Sequence, residues 1–438
     1  MLFKIKHEIW FDNDKLYIIK GKYNKYIYTM KYEKFMDIDR RSQKSIYPTI
    51  VFLSSTRCNL KCRYCFAHEG TYGNNTEKQF FDFESYIKIF DSTMKQFGGI
   101  NGISFFGGEP LLNFDEIKKF VEYIFEKYDK DKIPYMAMAS NGIIMNQEIK
   151  EFLVKYNVGY CTSLDGPKIF NDINRIGYKP FSVYDKVMNT LNFLDDISIR
   201  KSIQFTIGKS HLENYQKGDF SNWISEFENL NIESYEIVAV TADDNRFRIN
   251  LEDPVVYNNY CQLCNDIADH CLNIYKEGKN VPMPKIFAGL LLHIIKRVYQ
   301  EDCSAGFSFC VSPDLKIYPC HVCADDISYG IDFTENFREE IRENIYYRKV
   351  SEVEKEKIPQ CASCIAKNVC SYICKGLTCR NGYKLPPERC VMMQIFTEKV
   401  IVFLAEEYEN NREAIKQVLL KVSTGVMNDQ NKAGSYVY

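Results

Sequence analysis

The sequence predicts an α/β fold, in which a partial (β/α)6 barrel lies between a small N-terminal β-rich segment and a C-terminal cysteine-rich segment. From residue 49 to about residue 245, short apolar strands alternate with amphipathic helices, which is typical of parallel sheets and barrels. Residues 1–48 instead alternate apolar and polar residues between turn signals, as a small antiparallel sheet does. Residues 301–390 are rich in cysteine and poor in long periodic stretches, so bound metal is expected to supply folding free energy there.

The composition predicts a globular protein that is retained in the cytoplasm. Of 438 residues, 45% are hydrophobic and 26% are charged, which is too apolar for a disordered chain. The formal net charge is −2, from 56 Lys and Arg against 58 Asp and Glu, so neither nucleic acid nor an anionic membrane is an expected partner. The sequence contains neither a signal-peptide core nor an apolar run long enough to span a bilayer.

The barrel region is predicted to hold six strands, each followed by a loop and a helix. These strands are placed near residues 50–53, 102–106, 135–140, 159–164, 202–207 and 234–240. One helix is marked by an apolar face running from Ile117 to Tyr128, with Asn113 as its predicted N-cap. Six units are fewer than the eight of a closed TIM barrel, so we expect an open, TIM-like barrel with its chemistry in the loops that follow the strands.

The barrel, taken as residues 49–245, is followed by three further predicted regions. Residues 246–300 are predicted to be a mainly helical bridge, and residues 301–390 form the cysteine-rich domain. Residues 391–422 are predicted to be helical, and the rest of the C-terminal region 391–438 to be a frayed tail.

The cysteines predict metal sites. The chain has 17 of them, and in a protein without export signals they are more typical of metal or redox chemistry than of disulfides. Cys58, Cys62 and Cys65 follow a strand directly and place three thiolates on one loop. A structural zinc requires four ligands, whereas a cubane iron–sulfur cluster held by three thiolates keeps one iron open. A zinc site completed by His68 is the alternative interpretation.

Four motifs occur in order after successive predicted strands. They are the cysteine triplet with Tyr64 before its last cysteine, Gly107-Gly108-Glu109-Pro110, Ser140-Asn141-Gly142 and Ser163-Leu164-Asp165-Gly166-Pro167. Together they resemble the radical S-adenosylmethionine (radical SAM) superfamily over residues 49 to about 245.

This resemblance implies a cofactor and the residues that bind it. Cys58, Cys62 and Cys65 would hold a 4Fe-4S cluster whose open iron binds S-adenosylmethionine. The remaining implied contacts are Gly107, Gly108, Glu109 and Pro110 to the amino group, Ser140 and Asn141 to the cofactor, Ser163 and Asp165 to the ribose, and Arg175 to the carboxylate. Tyr64 and Phe66 are candidates for packing on the adenine, or else belong to the barrel core. Asn171 stands where the family usually has a histidine.

The cysteine-rich segment resembles the SPASM extension of radical SAM enzymes, which holds two auxiliary 4Fe-4S clusters. By this resemblance the first auxiliary set is Cys303, Cys310, Cys320 and Cys374, and the second auxiliary set is Cys361, Cys364, Cys370 and Cys390. Cys323 and Cys379 are additional thiols, offered as replacements for Cys320 and Cys390. With the radical SAM cluster, three clusters are expected. A zinc ribbon and a variant with a single auxiliary cluster are the alternatives.

The resemblance to SPASM proteins implies a peptide or protein substrate. The aspartate that serves as base in anaerobic sulfatase-maturing enzymes is replaced by His321, and residues 65–73 look like a loop of cysteine-rich-peptide maturases. We therefore expect a peptide maturase that joins a Cys sulfur to carbon as a thioether, with His321, Asp325 and Asp326 as candidate bases. The alternatives are a carbon–carbon crosslinking maturase, a formylglycine-forming sulfatase maturase, and a non-enzymatic iron–sulfur or zinc interaction protein.

The expected partners follow from the same resemblance. They are a Cys-containing precursor peptide with a leader and an external one-electron reductant, such as a flavodoxin or a ferredoxin-like protein. Residues 1–48 either capture the leader by strand addition or only cap the barrel.

Overall fold

A small antiparallel sheet forms the start of the chain, as predicted. The computed structural model describes residues 1–6, 9–20, 25–27, 47–73, 76–240, 246–279, 281–300, 303–371 and 373–410. The sheet has the order β1-β2-β3-β4, and its strands are β1 (Leu2–Lys6), β2 (Ile9–Asp12), β3 (Tyr17–Lys20) and β4 (Lys25–Ile27). The later part of the predicted β-rich segment, residues 28–46, lies outside the described residues.

Six parallel strands form the partial barrel, and all six were predicted. They are β5 (Thr49–Ser55), β6 (Gly102–Gly107), β7 (Tyr135–Ser140), β8 (Gly159–Ser163), β9 (Lys201–Ile207) and β10 (Ser234–Ala239). Each strand pairs in parallel with the next one along the chain. Every residue of β5 is buried, which accounts for its continuous apolar run.

Helices follow the strands and cover the outer face of this sheet. They are α1 (Phe83–Phe97), α2 (Phe114–Lys127), α3 (Gln147–Lys155), α4 (Lys168–Asn174), α5 (Val183–Phe193), α6 (Lys209–Leu212) and α7 (Asp219–Ile224). Ile117, Phe120 and Ile124 of α2 are buried on one face, as predicted. The predicted cap was wrong, because the Asn113 side chain makes no capping bond and donates instead to the carbonyl oxygens of Ser54 and Phe81, at 3.1 and 2.9 Å.

The cysteine-rich segment adds strands to the same sheet. Four further strands extend it at its two edges: β11 (Met283–Pro284), β12 (Phe309–Val311), β13 (Lys316–Tyr318) and β14 (Ile331–Asp332). The resulting order is β11-β10-β9-β8-β7-β6-β5-β12-β13-β14. Because β12 runs parallel to β5 and places Cys310 beside Val51, the first auxiliary set is built directly on the barrel.

The remaining helices lie in the second half of the chain. They are α8 (Pro254–Glu277), α9 (Lys285–Lys296), α10 (Phe337–Glu343), α11 (Ile345–Ser351), α12 (Pro359–Ala362), α13 (Lys375–Arg380) and α14 (Pro387–Asn410). The helical character predicted for residues 246–300 is confirmed. The predicted C-terminal helix begins a few residues earlier than expected, and its continuation and the predicted tail lie outside the described residues.

The N-terminal sheet packs mainly against α14 and the loop of the second auxiliary set. The Asn13 side chain donates to the Cys364 carbonyl at 2.9 Å, and Asn368 donates back to the Asn13 carbonyl at 3.0 Å. Apolar residues of β2 and β3, including Phe11 and Ile18, join the core that contains Phe396 of α14. This sheet therefore packs on the C-terminal segment, and leader capture and capping of the barrel both stay predictions. None of the helices in the described residues has the length and apolar character needed to cross a bilayer.

Candidate metal centre and cofactor site

The cysteine triplet lies on a loop at the carboxyl end of β5. Cys58, Cys62 and Cys65 are all half-buried. Backbone hydrogen bonds hold the loop against the segment after α4, from the Lys61 amide to the Ile176 carbonyl at 2.8 Å and from the Arg63 amide to the Asn174 carbonyl at 2.9 Å. The structure thus places the three predicted thiols together where a parallel sheet usually carries its chemistry.

The environment of these thiols suits a metal cluster. Burial raises the pKa of Cys58 to about 12 and that of Cys62 to about 11. Desolvation disfavours a free thiolate there, whereas a bound metal deprotonates its thiol ligands. The chemistry of the donor set therefore fits a cationic cluster better than free thiolates.

The predicted alternative, a zinc ion bound by the three thiols and His68, requires four side chains that point to one metal ion. His68 is exposed on the cysteine loop, and within the part of the chain that the structure describes no three His, Cys, Asp or Glu side chains converge as ligands of one metal ion. Thiolates that bind different irons of a cluster do not need to converge on one point.

Glycines allow the second motif to lie directly on the start of the cysteine loop. The Gly108 amide donates to the Ser55 carbonyl at 2.7 Å, and the Glu109 amide donates to the Arg57 carbonyl at 2.9 Å. A Cβ at Gly108 would lie 2.3 Å from the Arg57 carbonyl oxygen, and one at Gly107 would lie 2.2 Å from that of Ser55. Only glycine permits this backbone contact, which brings Glu109 close to the cysteine loop.

Glu109 is a fully buried carboxylate with neutral partners. It accepts hydrogen bonds from the Ser140 hydroxyl at 2.9 Å, the Asn141 amide at 2.7 Å and the Leu111 amide at 3.1 Å. Burial raises its pKa to about 7, and among the described residues no cation pairs with it. A buried carboxylate is stabilised by a cation, so an ammonium group fits this position. Glu109 of the second predicted motif is therefore in contact with Ser140 and Asn141 of the third.

Asn141 connects this network to the metal centre. Its side-chain amide donates to Asn59 Oδ1 at 2.6 Å and lies 3.6 Å from the Cys58 sulfur. Pro110, which follows Glu109, is buried in the adjoining turn, where its ring restricts the backbone torsion φ.

Asp165 and Arg175 form an internal ion pair, which differs from their predicted roles as separate cofactor contacts. The Arg175 guanidinium donates to both Asp165 oxygens at 3.0 Å, and both side chains are buried. The Tyr64 hydroxyl also donates to Asp165, and the Arg175 guanidinium lies 5.5 Å from the centre of the Tyr64 ring. The predicted bidentate contact of Arg175 is thus made to Asp165 in this structure, and its contact to a cofactor carboxylate remains a prediction.

An aromatic wall lies between the cysteine loop and the cysteine-rich segment. We define it as Phe66 and Phe106. The His321 ring lies 4.8 Å from that of Phe106 at the end of β6 and 5.9 Å from that of Phe66. Phe66 is 42% exposed, so it faces the barrel mouth rather than belonging to the core.

His321 is the candidate base whose side chain is left without a partner. Burial lowers its pKa to about 4, and its Nδ1 is buried without a hydrogen-bond partner in the described residues. Asp325 instead pairs with Arg380 at 2.7 Å. Asp326 caps a short helical turn by accepting from the Ser328 amide at 3.0 Å. Of the three predicted candidates, His321 is therefore the one that offers an unpaired atom beside the aromatic wall.

The first auxiliary set is brought together as predicted. Cys303 is exposed overall, but its pKa is raised by desolvation of the thiol and then by the neighbouring Cys374 and Cys320. Burial, and then Cys320, likewise raises the pKa of Cys310. Cys320 is thus close to the other three members of the set.

The second auxiliary set also comes together. The pKa of Cys390 is raised to about 12 by burial and then by Cys370, Cys364 and Cys361. All seventeen cysteines lie within the described residues, and no disulfide is formed among them.

A row of polar residues faces the barrel interior and was not predicted. Gln204 lies beside Ser163 on one neighbouring strand and beside Glu236 on the other. The residues flanking Glu236, Tyr235 and Ile237, face the helices, so Glu236 faces the opposite, inner side. Burial raises the pKa of Glu236 to about 7. The alternation of polar and apolar residues in β9 and β10 is the sequence signal that could have identified this row.

Comparison with known families identifies the class of the barrel. Residues 52–211 match the family model described as the radical SAM superfamily. The region that contains the cysteine triplet, Glu109 and Asp165 is therefore a radical SAM domain.

Individual relatives resemble the chain over different lengths. The radical SAM cyclopropyl synthase TigE of Paramaledivibacter caminithermalis is 25% identical over 52% of this chain and 46% of its own length. A cysteine-type anaerobic sulfatase-maturating enzyme of Clostridium novyi is 23% identical over 67% of this chain and 78% of its own length. The chain spans 50% and 46% of the length of the first two curated relatives it matches.

A solved structure shares the fold over most of the chain. Native anSMEcpe with bound AdoMet and a Kp18Cys peptide superposes with a TM-score of 0.64 at 17% identity, covering 84% of this chain and 98% of that chain. The fold of the barrel and of the cysteine-rich segment is therefore shared with this solved structure.

Proposed function

We propose that this protein is a radical SAM peptide maturase that joins a Cys sulfur to a carbon atom of a ribosomally made precursor peptide as a thioether. The observation that carries the proposal is the unpaired His321 Nδ1 beside the aromatic wall, next in the chain to Cys320 of the first auxiliary set. A neutral imidazole there suits a peptide thiol, whereas the sulfatase-maturing branch that the sequence resembles has a carboxylate at this place.

The residues of the metal centre fit the cofactors that the family uses. Cys58, Cys62 and Cys65 would hold the radical SAM cluster, and Glu109 would receive the ammonium group of S-adenosylmethionine. The two auxiliary sets would hold one 4Fe-4S cluster each. When bound and reduced, these groups supply a 5′-deoxyadenosyl radical that removes a hydrogen atom from the substrate.

The chain's own residues would orient the peptide. Closing a thioether removes a hydrogen atom from the acceptor carbon, which the 5′-deoxyadenosyl radical would take. It also removes a proton and an electron from the thiol; the proton would pass to solvent, and an auxiliary cluster would supply the electron acceptor. The His321 Nδ1 would accept a hydrogen bond from the thiol, and Phe66 and Phe106 would exclude water from the reacting atoms. Gln204 and Glu236 on the opposite inner wall offer polar contacts to the peptide.

The partners of this reaction belong to the same proposal. The substrate would be a Cys-containing precursor peptide with a leader, and a flavodoxin or ferredoxin-like protein would supply the reducing electron. The solved structure that contains a Kp18Cys peptide supports a fold of this kind as a peptide-binding one.

The direct test is a reaction with a defined peptide under anaerobic conditions. Reconstituted protein is incubated with S-adenosylmethionine, dithionite and a synthetic Cys-containing precursor peptide with its leader, and the products are analysed by mass spectrometry. We expect 5′-deoxyadenosine and a peptide that has lost two hydrogen atoms and one iodoacetamide-reactive thiol.

Each alternative gives a different product. A carbon–carbon link would leave the thiol reactive, and formylglycine would remove the sulfur and react with a hydrazide. A non-enzymatic iron–sulfur or zinc protein would produce no 5′-deoxyadenosine, and this result would contradict the proposal.

Removal of the His321 imidazole is expected to separate cofactor cleavage from crosslinking. The H321A variant should retain 5′-deoxyadenosine formation and lose at least about tenfold in crosslinked peptide, because a positioned group typically contributes about 10²–10⁴-fold. H321N, which keeps an acceptor oxygen, should recover part of the loss. Equal loss of both products in H321A would instead indicate a structural role.

Removal of the Glu109 charge is expected to weaken cofactor binding. A charge-assisted hydrogen bond contributes about 1.5–3 kcal/mol, so the E109Q variant should raise the Kd for S-adenosylmethionine by about 10- to 100-fold. Isothermal titration of the anaerobic holoprotein measures this change, with the exposed Glu148→Gln as the matched control. An unchanged Kd would remove Glu109 from the cofactor site.

A further inference from the structure

Two surplus thiols lie beside the first auxiliary set. The Cys323 sulfur is buried and lies 3.6 Å from that of Cys320. The Cys379 sulfur lies 3.8 Å from the Tyr329 hydroxyl. Burial and then Cys379, followed by Cys323, raise the pKa of Tyr329. Cys379 is therefore close to the first auxiliary set, and it also packs against the apolar cluster that contains Cys361 of the second set. Its role as a replacement for Cys390 stays a prediction.

The Cys320 and Cys323 sulfurs are in direct contact. They lie 3.6 Å apart, a distance at which one thiol can donate a hydrogen bond to the other. An iron of a cubane keeps one position for a thiolate, since three bridging sulfides occupy the others. Because the two sulfurs are in contact, either one can reach the same corner of a cluster, but only one at a time.

The local backbone is built to keep both sulfurs at this corner. The short turn His321–Cys323 begins at Cys320, and the Cys323 amide donates to the Cys320 carbonyl at 3.1 Å. A Cβ added at Gly376 would lie 2.8 Å from the Cys320 sulfur and 3.2 Å from the Cys323 sulfur. The absence of a side chain at Gly376 therefore leaves room for both thiols.

We propose that Cys320 and Cys323 are interchangeable ligands of one iron in the first auxiliary cluster, so that this site holds five thiols. Exchange breaks one iron–sulfur bond as the other forms, and the incoming thiol passes its proton to the outgoing thiolate, so no oxidant or reductant is needed. The inference requires a cluster at the first auxiliary set but does not depend on which peptide reaction the protein performs.

The test measures metal content and cluster signals, without a substrate. All variants are made in the full chain with Cys58, Cys62 and Cys65 replaced by alanine, so that only auxiliary clusters contribute. After anaerobic reconstitution with iron and sulfide, we expect C320A and C323A each to retain the iron, sulfide and reduced electron paramagnetic resonance intensity of the parent. The double variant C320A/C323A should lose the share of one cluster.

Two controls make the outcome decisive. C374A removes a ligand that has no such neighbour in the proposed scheme and should lose as much iron as the double variant, whereas C379A should lose none. Circular dichroism melting establishes that each variant is folded. If C320A alone loses as much iron as the double variant, Cys320 is the sole ligand; if the double variant loses none, neither thiol is a ligand. Either result overturns the proposal.

Discussion

Replacement of Cys58, Cys62 and Cys65 by alanine should abolish 5′-deoxyadenosine formation from S-adenosylmethionine and dithionite, with no detectable residual rate. The three half-buried thiols lie on one loop at the carboxyl end of β5, and we propose them as the protein ligands of the radical SAM cluster. Liquid chromatography of the quenched reaction measures the nucleoside, and iron analysis measures the cluster.

The same variant should keep the iron of its auxiliary sites, because those thiols come from other parts of the chain. Cys261→Ala is a matched control, since this cysteine lies on α8 outside the three predicted sets, and it should leave both iron content and nucleoside formation unchanged. Continued nucleoside formation by the triple variant would show that the cluster that cleaves the cofactor lies elsewhere.

Loss of one partner of the Asp165–Arg175 pair should destabilise the fold strongly. The side chains are 0% and 7% exposed, and breaking a buried ion pair by removing one partner costs about 3–5 kcal/mol. The R175M variant leaves the Asp165 carboxylate without its cation, so the free energy of unfolding should fall by this amount. Urea denaturation followed by circular dichroism measures the change.

The double variant D165L/R175M tests whether the loss of stability in R175M comes from the unpaired Asp165 charge. It should recover much of the loss, because apolar replacement of both partners removes the uncompensated charge. K118M, which breaks an exposed pair with Glu148, should not change stability measurably. If R175M weakens S-adenosylmethionine binding while leaving the unfolding free energy unchanged, Arg175 contacts the cofactor as the family resemblance implies and does not support the fold.

The barrel was predictable because its signals are local. Each strand from β5 to β10 is a short segment in which apolar residues are continuous or alternate with polar ones, and α2 shows a clear helical period. These patterns depend on neighbours within a few residues. The membership of the two auxiliary sets was implied by the family resemblance and not by a local pattern, and the sets stay predictions as cluster ligands.

The parts that were missed depend on contacts between distant residues. Strands β12 and β13 have three residues each, and only the pairing of β12 with β5 and of β13 with β12 makes them strands. The position of the N-terminal sheet on α14 depends on Asn13 meeting Cys364, which no local pattern reveals.

In the candidate site, too, local motifs predicted some features, whereas others depend on contacts between distant residues. The motifs placed Glu109 and Asn141 near Cys58, but they did not reveal that Arg175 would pair with Asp165. That pairing depends on the angle at which the segment after α4 returns to the barrel. Glu236 was not predicted, although the alternation of polar and apolar residues in β9 and β10 indicates a polar inner face of these strands.

The pairing of β12 with β5 has a consequence for biosynthesis. The Thr49 amide is bonded to the Ser308 hydroxyl across 259 residues of chain, so the flank of β5 is covered only after most of the polypeptide has left the ribosome. Until then an apolar strand presents unpaired amides and carbonyls, which other chains can bind. Synthesis of the last third of the chain therefore covers the exposed edge of the nascent barrel, which reduces aggregation, and also adds the auxiliary thiols.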